Sequence, residues 1–324
     1  MKKLGLGIIG LGVIAERLLP AFLKHPKTDI KGGFDVDVER MAAMKEKFDI
    51  VTVTDLDELI NDKSIDMIYL AVPPRSHHDI AIKIMRAGKH ILCEKPLACT
   101  LEEATEMYEV AIETQIVHAM NFPLYYGFAY TRIKQLLETN TLGRIKRIEL
   151  SALYPYWPRP WQQNAWIDSR EDGGFVREVF THFIQLIQAS FGPIGNIHSF
   201  VEYPDDKSKC EIGLIGVGEL ASGVKIVFNG LTDVNQQGNI KLTLFGSEGS
   251  IELQNWRKLI VKIGEQEFIT ASNIKKGAKS VNATYDLIHA FYEAIDGKKS
   301  NLVTFEDGLQ ATKVVEKLLD NHEV

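Results

Sequence analysis

The stretch Leu4-Gly5-Leu6-Gly7-Ile8-Ile9-Gly10-Leu11-Gly12-Val13-Ile14-Ala15 joins a short apolar run to a glycine turn, and an amphipathic segment follows from Glu16 and Arg17. Lys2 and Lys3 ahead of it give a superficial likeness to a secretory signal. The run holds four glycines, is too short to span a bilayer and has no small-x-small cleavage site, so it reads as a buried strand and a turn. Gly10 to Ala15 match the pattern Gly-x-Gly-x-x-Gly/Ala at the junction of an expected strand and helix. In that setting Gly10 permits the tight turn, Gly12 lets a pyrophosphate approach the backbone, and Ala15 allows close helix-to-strand contact. The helix N-terminus supplies amide donors to the anion.

Asp35 closes the next expected strand, twenty residues after Ala15, where a carboxylate accepts hydrogen bonds from ribose hydroxyls. A negative charge there repels a 2′-phosphate and favours NAD over NADP, although Arg40 in the following helix can face a phosphate. The expected cofactor contacts are therefore Gly10, Leu11, Gly12, Val13, Ile14, Asp35 and Val36.

Outward from this turn, short apolar runs alternate with amphipathic ones as far as Ala119, the grammar of βαβ units in a doubly wound parallel sheet. Six strands are expected: Leu4 to Ile9, Ile30 to Asp35, a weak one at Val51 to Val53, Met67 to Val72, His90 to Cys93, and Gln115 to Ala119. Beyond residue 120 the pattern changes. A helix at Ala129 to Glu138, a strand at Ile145 to Tyr154 and a helix from about Gly174 to Phe191 lead into six strands with no helices between them. Gly246 to Gly249 read as a hairpin turn. The fold class is thus an α/β Rossmann domain, residues 1–120, followed by an α+β domain, residues 121–324, with a large, mainly antiparallel open sheet. The closing helix 306–319 can pack on either domain.

With 324 residues, 45% hydrophobic and 25% charged, the chain is long enough for two cores and has a globular composition. Lysine and arginine number 37 against 43 acidic residues, with no basic cluster, which argues against nucleic acid as a partner. No apolar run of membrane-spanning length occurs. Cys93, Cys99 and Cys210 form no Cys-x-x-Cys unit, which suits a reducing, cytoplasmic setting and gives no metal site.

Ala71-Val72-Pro73-Pro74-Arg75-Ser76-His77 is followed by Gly88-Lys89-His90-Ile91-Leu92-Cys93-Glu94-Lys95-Pro96-Leu97. Together with Gly173 to His182 and Glu306-Asp307-Gly308-Leu309, these blocks resemble the glucose-fructose oxidoreductase / inositol dehydrogenase / MocA family across nearly the whole chain. Glu94-Lys95-Pro96 is its most specific motif. The resemblance implies an NAD(P)-dependent dehydrogenase or reductase of sugars, cyclitols and related alcohols or ketones. It implies Lys95 and His182 as the catalytic pair, Glu94 near the nicotinamide, and Val72, Pro73 and His77 along the nicotinamide ribose. It also implies a homodimer or homotetramer built through the open sheet face. Alternation at Val224, Ile226 and Phe228 fits such a face, and fits equally a face buried under helices.

Glu178 and His182 lie four apart on one helix and share a face. Imidazole can take a hydroxyl proton at neutral pH, and Lys95 at the C-terminal end of a strand can stabilise the developing alkoxide. Glu178 can bind a neighbouring hydroxyl. Three of the four tryptophans fall between Tyr154 and Trp166, with Arg159, Gln162 and Asn164 among them. That segment can form an aromatic wall for a sugar-like ring or close a core edge. Asn121, Trp161, Trp166, Arg170 and Arg177 are the substrate-contact candidates, the arginines serving either as anion clamps or in structural ion pairs. The family usually has aspartate, glycine and aspartate where this chain has Glu178, Phe180 and Gln185, which points away from an ordinary inositol or glucose substrate. Two alternatives share the residues: reduction of another carbonyl or oxidation of a dihydrodiol, and a catalytically silent NAD- or sugar-sensing regulator.

Overall fold

A computed structural model describes residues 3–162, 164–270 and 283–320. The chain divides into two compact units, Met1–Pro123 with Asn282–Leu309, and Leu124–Val281 with Gln310–Val324.

In the first unit β1 (Leu4–Ile9), β2 (Thr28–Phe34), β3 (Met67–Leu70), β4 (His90–Cys93) and β5 (His118–Met120) form a parallel sheet in the order β2-β1-β3-β4-β5. The chain order reverses between β1 and β3, which opens a crevice at the C-terminal strand ends. β1, β3 and β4 are buried almost throughout, as expected of inner strands in a parallel sheet that alternates with helices, here α1 (Val13–Lys24), α2 (Val38–Phe48), α3 (Leu56–Asn61), α4 (His77–Arg86) and α5 (Leu101–Thr114). The third expected strand, Val51 to Val53, is not one. It makes a single bridge, Thr52 to Gly33, because only the Val51 carbonyl and the Val53 amide reach β2. Later in the chain, α8 (Ala283–Ile295) packs on α1, with Tyr292 stacked on His25 at 4.3 Å.

The second unit is built on α6 (Phe128–Glu138), α7 (Thr181–Phe191) and an eight-stranded sheet. Its strands are β6 (Ile145–Leu153), β7 (Ile194–Glu202), β8 (Gly213–Leu220), β9 (Lys225–Leu231), β10 (Asn239–Gly246), β11 (Gly249–Gln254), β12 (Lys258–Ile263) and β13 (Gln266–Thr270). The order is β13-β12-β11-β10-β6-β9-β8-β7, antiparallel except for the β6–β9 pair. The hairpin at Gly246 to Gly249 is present as expected. Alternation along β6, β9 and β10 buries Ile148, Leu150, Ile226, Phe228, Leu242 and Leu244 on one face, where Phe180 lies against Phe228. Ile226 and Phe228 thus belong to the covered face. The open face carries Phe200, Ile215 and Val217 instead, with Phe200 and Ile215 directly paired across β7 and β8. The last helix, α9 (Phe305–Leu319), ends in this unit with the Leu318 carbonyl accepting a hydrogen bond from Ser199 Oγ.

Candidate active site

At the end of β1, Gly10 has φ +90°, and a Cβ there would lie 2.4 Å from the Ala71 carbonyl oxygen, so only glycine fits. Around Gly12 there is open space, with nothing within 4 Å of a Cβ position. Gly12 is also the N-cap of α1 and contributes no side-chain bond, so the first-turn amides face outward for an anion. Asp35 is buried. Its Oδ2 accepts the Leu11 amide at 2.7 Å and its Oδ1 the Asp37 amide at 2.9 Å, tying the glycine turn to the end of β2. Leu11 is itself buried, Ile14 half-buried, and Val13 and Val36 are exposed, Val36 by 89%. An open glycine backbone, an uncapped helix start, a fixed carboxylate and an exposed apolar side chain beside it suit the pyrophosphate, ribose and adenine of a dinucleotide.

Beyond β3, Val72 is half-buried and Pro73 exposed, but His77 is fully buried. Its ring nitrogens face the carbonyl oxygens of Pro96, at 2.8 Å, and Val72, at 2.9 Å, and burial lowers its pKa. His77 clamps together the loops that follow β3 and β4. Glu94 is buried at the end of β4 and accepts hydrogen bonds from the Tyr69 hydroxyl at 2.5 Å and the Asn121 amide at 2.6 Å. Burial raises its pKa. Asn121 therefore holds Glu94, and its buried Oδ1 has no hydrogen-bond partner among the described residues. Lys95, next in the chain, is half-buried.

In the second unit the helix carrying Glu178 and His182 starts at two glycines. Gly174 has φ +98°, and a Cβ there would meet Glu211 Oε2 at 2.2 Å. Glu211 is buried beneath, accepting the Val176 amide at 2.8 Å, and burial pushes its pKa up to about 7. Val176–Phe180 form a π-helical turn before α7, a departure from α geometry frequent at functional sites. Glu178 is buried and accepts a hydrogen bond from Gln162 Nε2 at 3.1 Å. Gln162 Oε1 in turn accepts the Arg159 Nε–H. His182, 9% exposed, meets the edge of Trp256 with ring centroids 5.2 Å apart and planes at 86°. Gln185, on the same helix, is buried with no hydrogen-bond partner for either amide atom among the described residues.

Trp256 sits in the turn between β11 and β12, closed by the Arg257 amide on the Gln254 carbonyl. Asn255 and Trp256 have φ of 46° and 70°. Asparagine tolerates that conformation, whereas a bulky ring there is strained by about 1–3 kcal/mol. Trp256 also lines a cavity of about 320 Å³ with Tyr154, Tyr156, Arg159, Trp161 and Asn239. Of the other candidates, Trp161 lines this cavity, but Trp166, Arg170 and Arg177 do not. Trp166 is half-buried, Arg170 lies over the Tyr203 ring at 3.7 Å, and Arg177 donates to the carbonyls of Arg170 and Gly173. Sequence reasoning missed Trp256, Tyr69 and Glu211. For Trp256 a signal existed, since a large aromatic in a polar turn between two alternating strands is out of place.

Residues 4–122 match the oxidoreductase family with an NAD-binding Rossmann fold, and residues 134–323 match that family's C-terminal alpha/beta domain. The chain belongs to the Gfo/Idh/MocA oxidoreductase family. It is an NAD-binding oxidoreductase. Among its relatives is the dTDP-3,4-didehydro-2,6-dideoxy-alpha-D-glucose 3-reductase of Streptomyces violaceoruber, 26% identical and aligned over 78% of this chain and 73% of the relative. Another is the 1,5-anhydro-D-fructose reductase of Ensifer adhaerens, 25% identical over 94% and 91%. A solved levoglucosan dehydrogenase in complex with NADH and levoglucosan shares the fold, with a TM-score of 0.86 at 22% identity over 98% of this chain and 97% of that one.

Proposed function

We propose that this protein interconverts a secondary alcohol and its ketone on a sugar, cyclitol or similar polyhydroxy ring, with NAD as the redox partner. The observation that carries the reading is the buried Glu178 and His182 on one helix, with Trp256 joining His182 to an aromatic-walled cavity. The names of the relatives, two sugar reductases and a levoglucosan dehydrogenase, support the same substrate class.

NAD, when bound along Gly10 to Ile14 and Asp35, supplies the hydride acceptor or donor. His182 takes the hydroxyl proton as the alcohol is oxidised and returns it in reduction. Lys95 donates a hydrogen bond to the same oxygen and stabilises charge that develops on it. Glu178, held by Gln162, accepts a hydrogen bond from a neighbouring hydroxyl and so orients the ring. Glu94, fixed by Tyr69 and Asn121, holds the backbone ahead of Lys95 in place.

The Asp35 carboxylate supports NAD over NADP. The apolar Phe200, Ile215 and Val217 on the open sheet face support assembly into a homodimer or homotetramer. Among the described residues no helix is long and apolar enough to cross a membrane, and none of the three cysteines forms a disulfide, in keeping with a cytoplasmic enzyme.

The test is an absorbance screen for NAD+ reduction over polyols, aldoses, sugar acids and dihydrodiols, repeated with NADP+. Turnover with a polyhydroxy ring is the expected result. Tight NADH binding with no turnover on any alcohol or carbonyl would instead favour a sensor.

A further inference from the structure

Building on the reading of this chain as an oxidoreductase of polyhydroxy rings, we infer that Arg159 selects substrates whose ring bears an anionic substituent, a carboxylate or a phosphate. The cavity beside Trp256 has a volume of about 320 Å³, the size of a single substituted ring. Its walls are aromatic at Tyr154, Tyr156, Trp161 and Trp256, surfaces on which the C–H face of a sugar ring stacks. Among the described residues that line it, Arg159 is the one charged side chain and none is a carboxylate. Arg159 thus brings a positive charge to the cavity wall.

The guanidinium is held in a set orientation. It lies over the rings of Trp157, at 5.4 Å, and Trp161, at 4.7 Å, while its Nε–H donates to Gln162. Stacking of this kind fixes the plane of the group, and a planar fork in a fixed plane recognises carboxylate or phosphate oxygens bidentately. A lysine on a flexible stem would not hold that geometry.

Tyr154, 7% exposed, lines the same cavity, and its hydroxyl is buried with no hydrogen-bond partner among the described residues. The anchor also connects to the chemistry. Gln162 bridges Arg159 to Glu178, and Trp256 is at once a cavity wall and the neighbour of His182. A ring held by its anionic substituent is thereby presented to the two residues that handle its hydroxyl groups.

Isothermal titration of the NADH-loaded protein with D-glucose, D-glucuronate and D-glucose 6-phosphate tests this. At least one anionic sugar is expected to bind about tenfold or more tighter than D-glucose, and the order of the two charged sugars tells carboxylate from phosphate. Arg159→Gln is expected to shrink that preference to about twofold or less while NADH affinity holds, and Arg159→Lys to fall between. The inference is overturned if neither anionic sugar binds, if D-glucose binds as tightly as both, or if the preference survives in Arg159→Gln. Failure of the wild-type protein to bind NADH at all would strike the oxidoreductase reading beneath it.

Discussion

Glu211 caps the helix that carries Glu178 and His182: its buried carboxylate accepts the Val176 amide at 2.8 Å, directly beneath Gly174. Burial raises the Glu211 pKa from 4.5 to about 7. The folded chain thus holds this proton more tightly than the unfolded chain. The resulting stabilisation is complete below pH 4.5 and is lost as pH rises through about 7, a change on the order of 3 kcal/mol. Glu211→Gln keeps an acceptor for the Val176 amide and cannot ionise. The difference in Tm between this variant and wild type, measured by calorimetry, should move in the variant's favour by several degrees from pH 5 to pH 8. A difference that stays constant across that range would rule out the raised pKa.

Asp35 serves the protein before it serves the cofactor, because both its oxygens already hold backbone amides. Asp35→Ala removes the charged acceptor for the ribose and the anchor of the glycine turn. It should lower kcat/KM for NAD+ by about tenfold to a hundredfold and raise the relative use of NADP+, with Arg40 released from its ion pair with Asp35. Steady-state kinetics with both dinucleotides decides this. A wild-type preference for NADP+ would contradict the role given to Asp35.

Phe200 and Ile215 face each other across β7 and β8 with 65% and 57% of their surfaces exposed. Apolar pairs on an open sheet face call for a covering partner. Ile215→Lys should convert the expected homo-oligomer into smaller species by sedimentation velocity, with NADH affinity retained. A monomeric wild-type protein would contradict the proposed assembly.

The nucleotide-binding unit was legible in the sequence because its signals are local. Gly10 and Gly12 answer to a turn a few residues long, and Asp35 follows at the spacing set by one βαβ repeat. Val51 to Val53 misled because β-propensity says nothing of how many neighbours a strand finds. Gln266–Thr270 was passed over for the converse reason, since it reads as polar and is ordered by pairing with β12. In the second unit the placing of Glu178 and His182 on neighbouring turns of one helical segment could be seen from spacing. Their surroundings could not. Glu211, Gln162 and Trp256 come from separate parts of the chain, and only tertiary folding sets a strand-entry carboxylate under Gly174 or a turn tryptophan against His182. Arg170 and Arg177 were visible as charges, but their use by Tyr203 and by backbone carbonyls depends on contacts that no spacing encodes.

The role proposed for Lys95 and His182 is NAD-linked oxidation of a hydroxyl group. It is tested most directly by comparing NAD+ reduction by wild type, Lys95→Met and His182→Asn on the best alcohol from the screen, with NADH dissociation constants measured alongside. Each variant should lose at least about a hundredfold in kcat while binding NADH within about twofold of wild type. Undiminished turnover in either variant would contradict it.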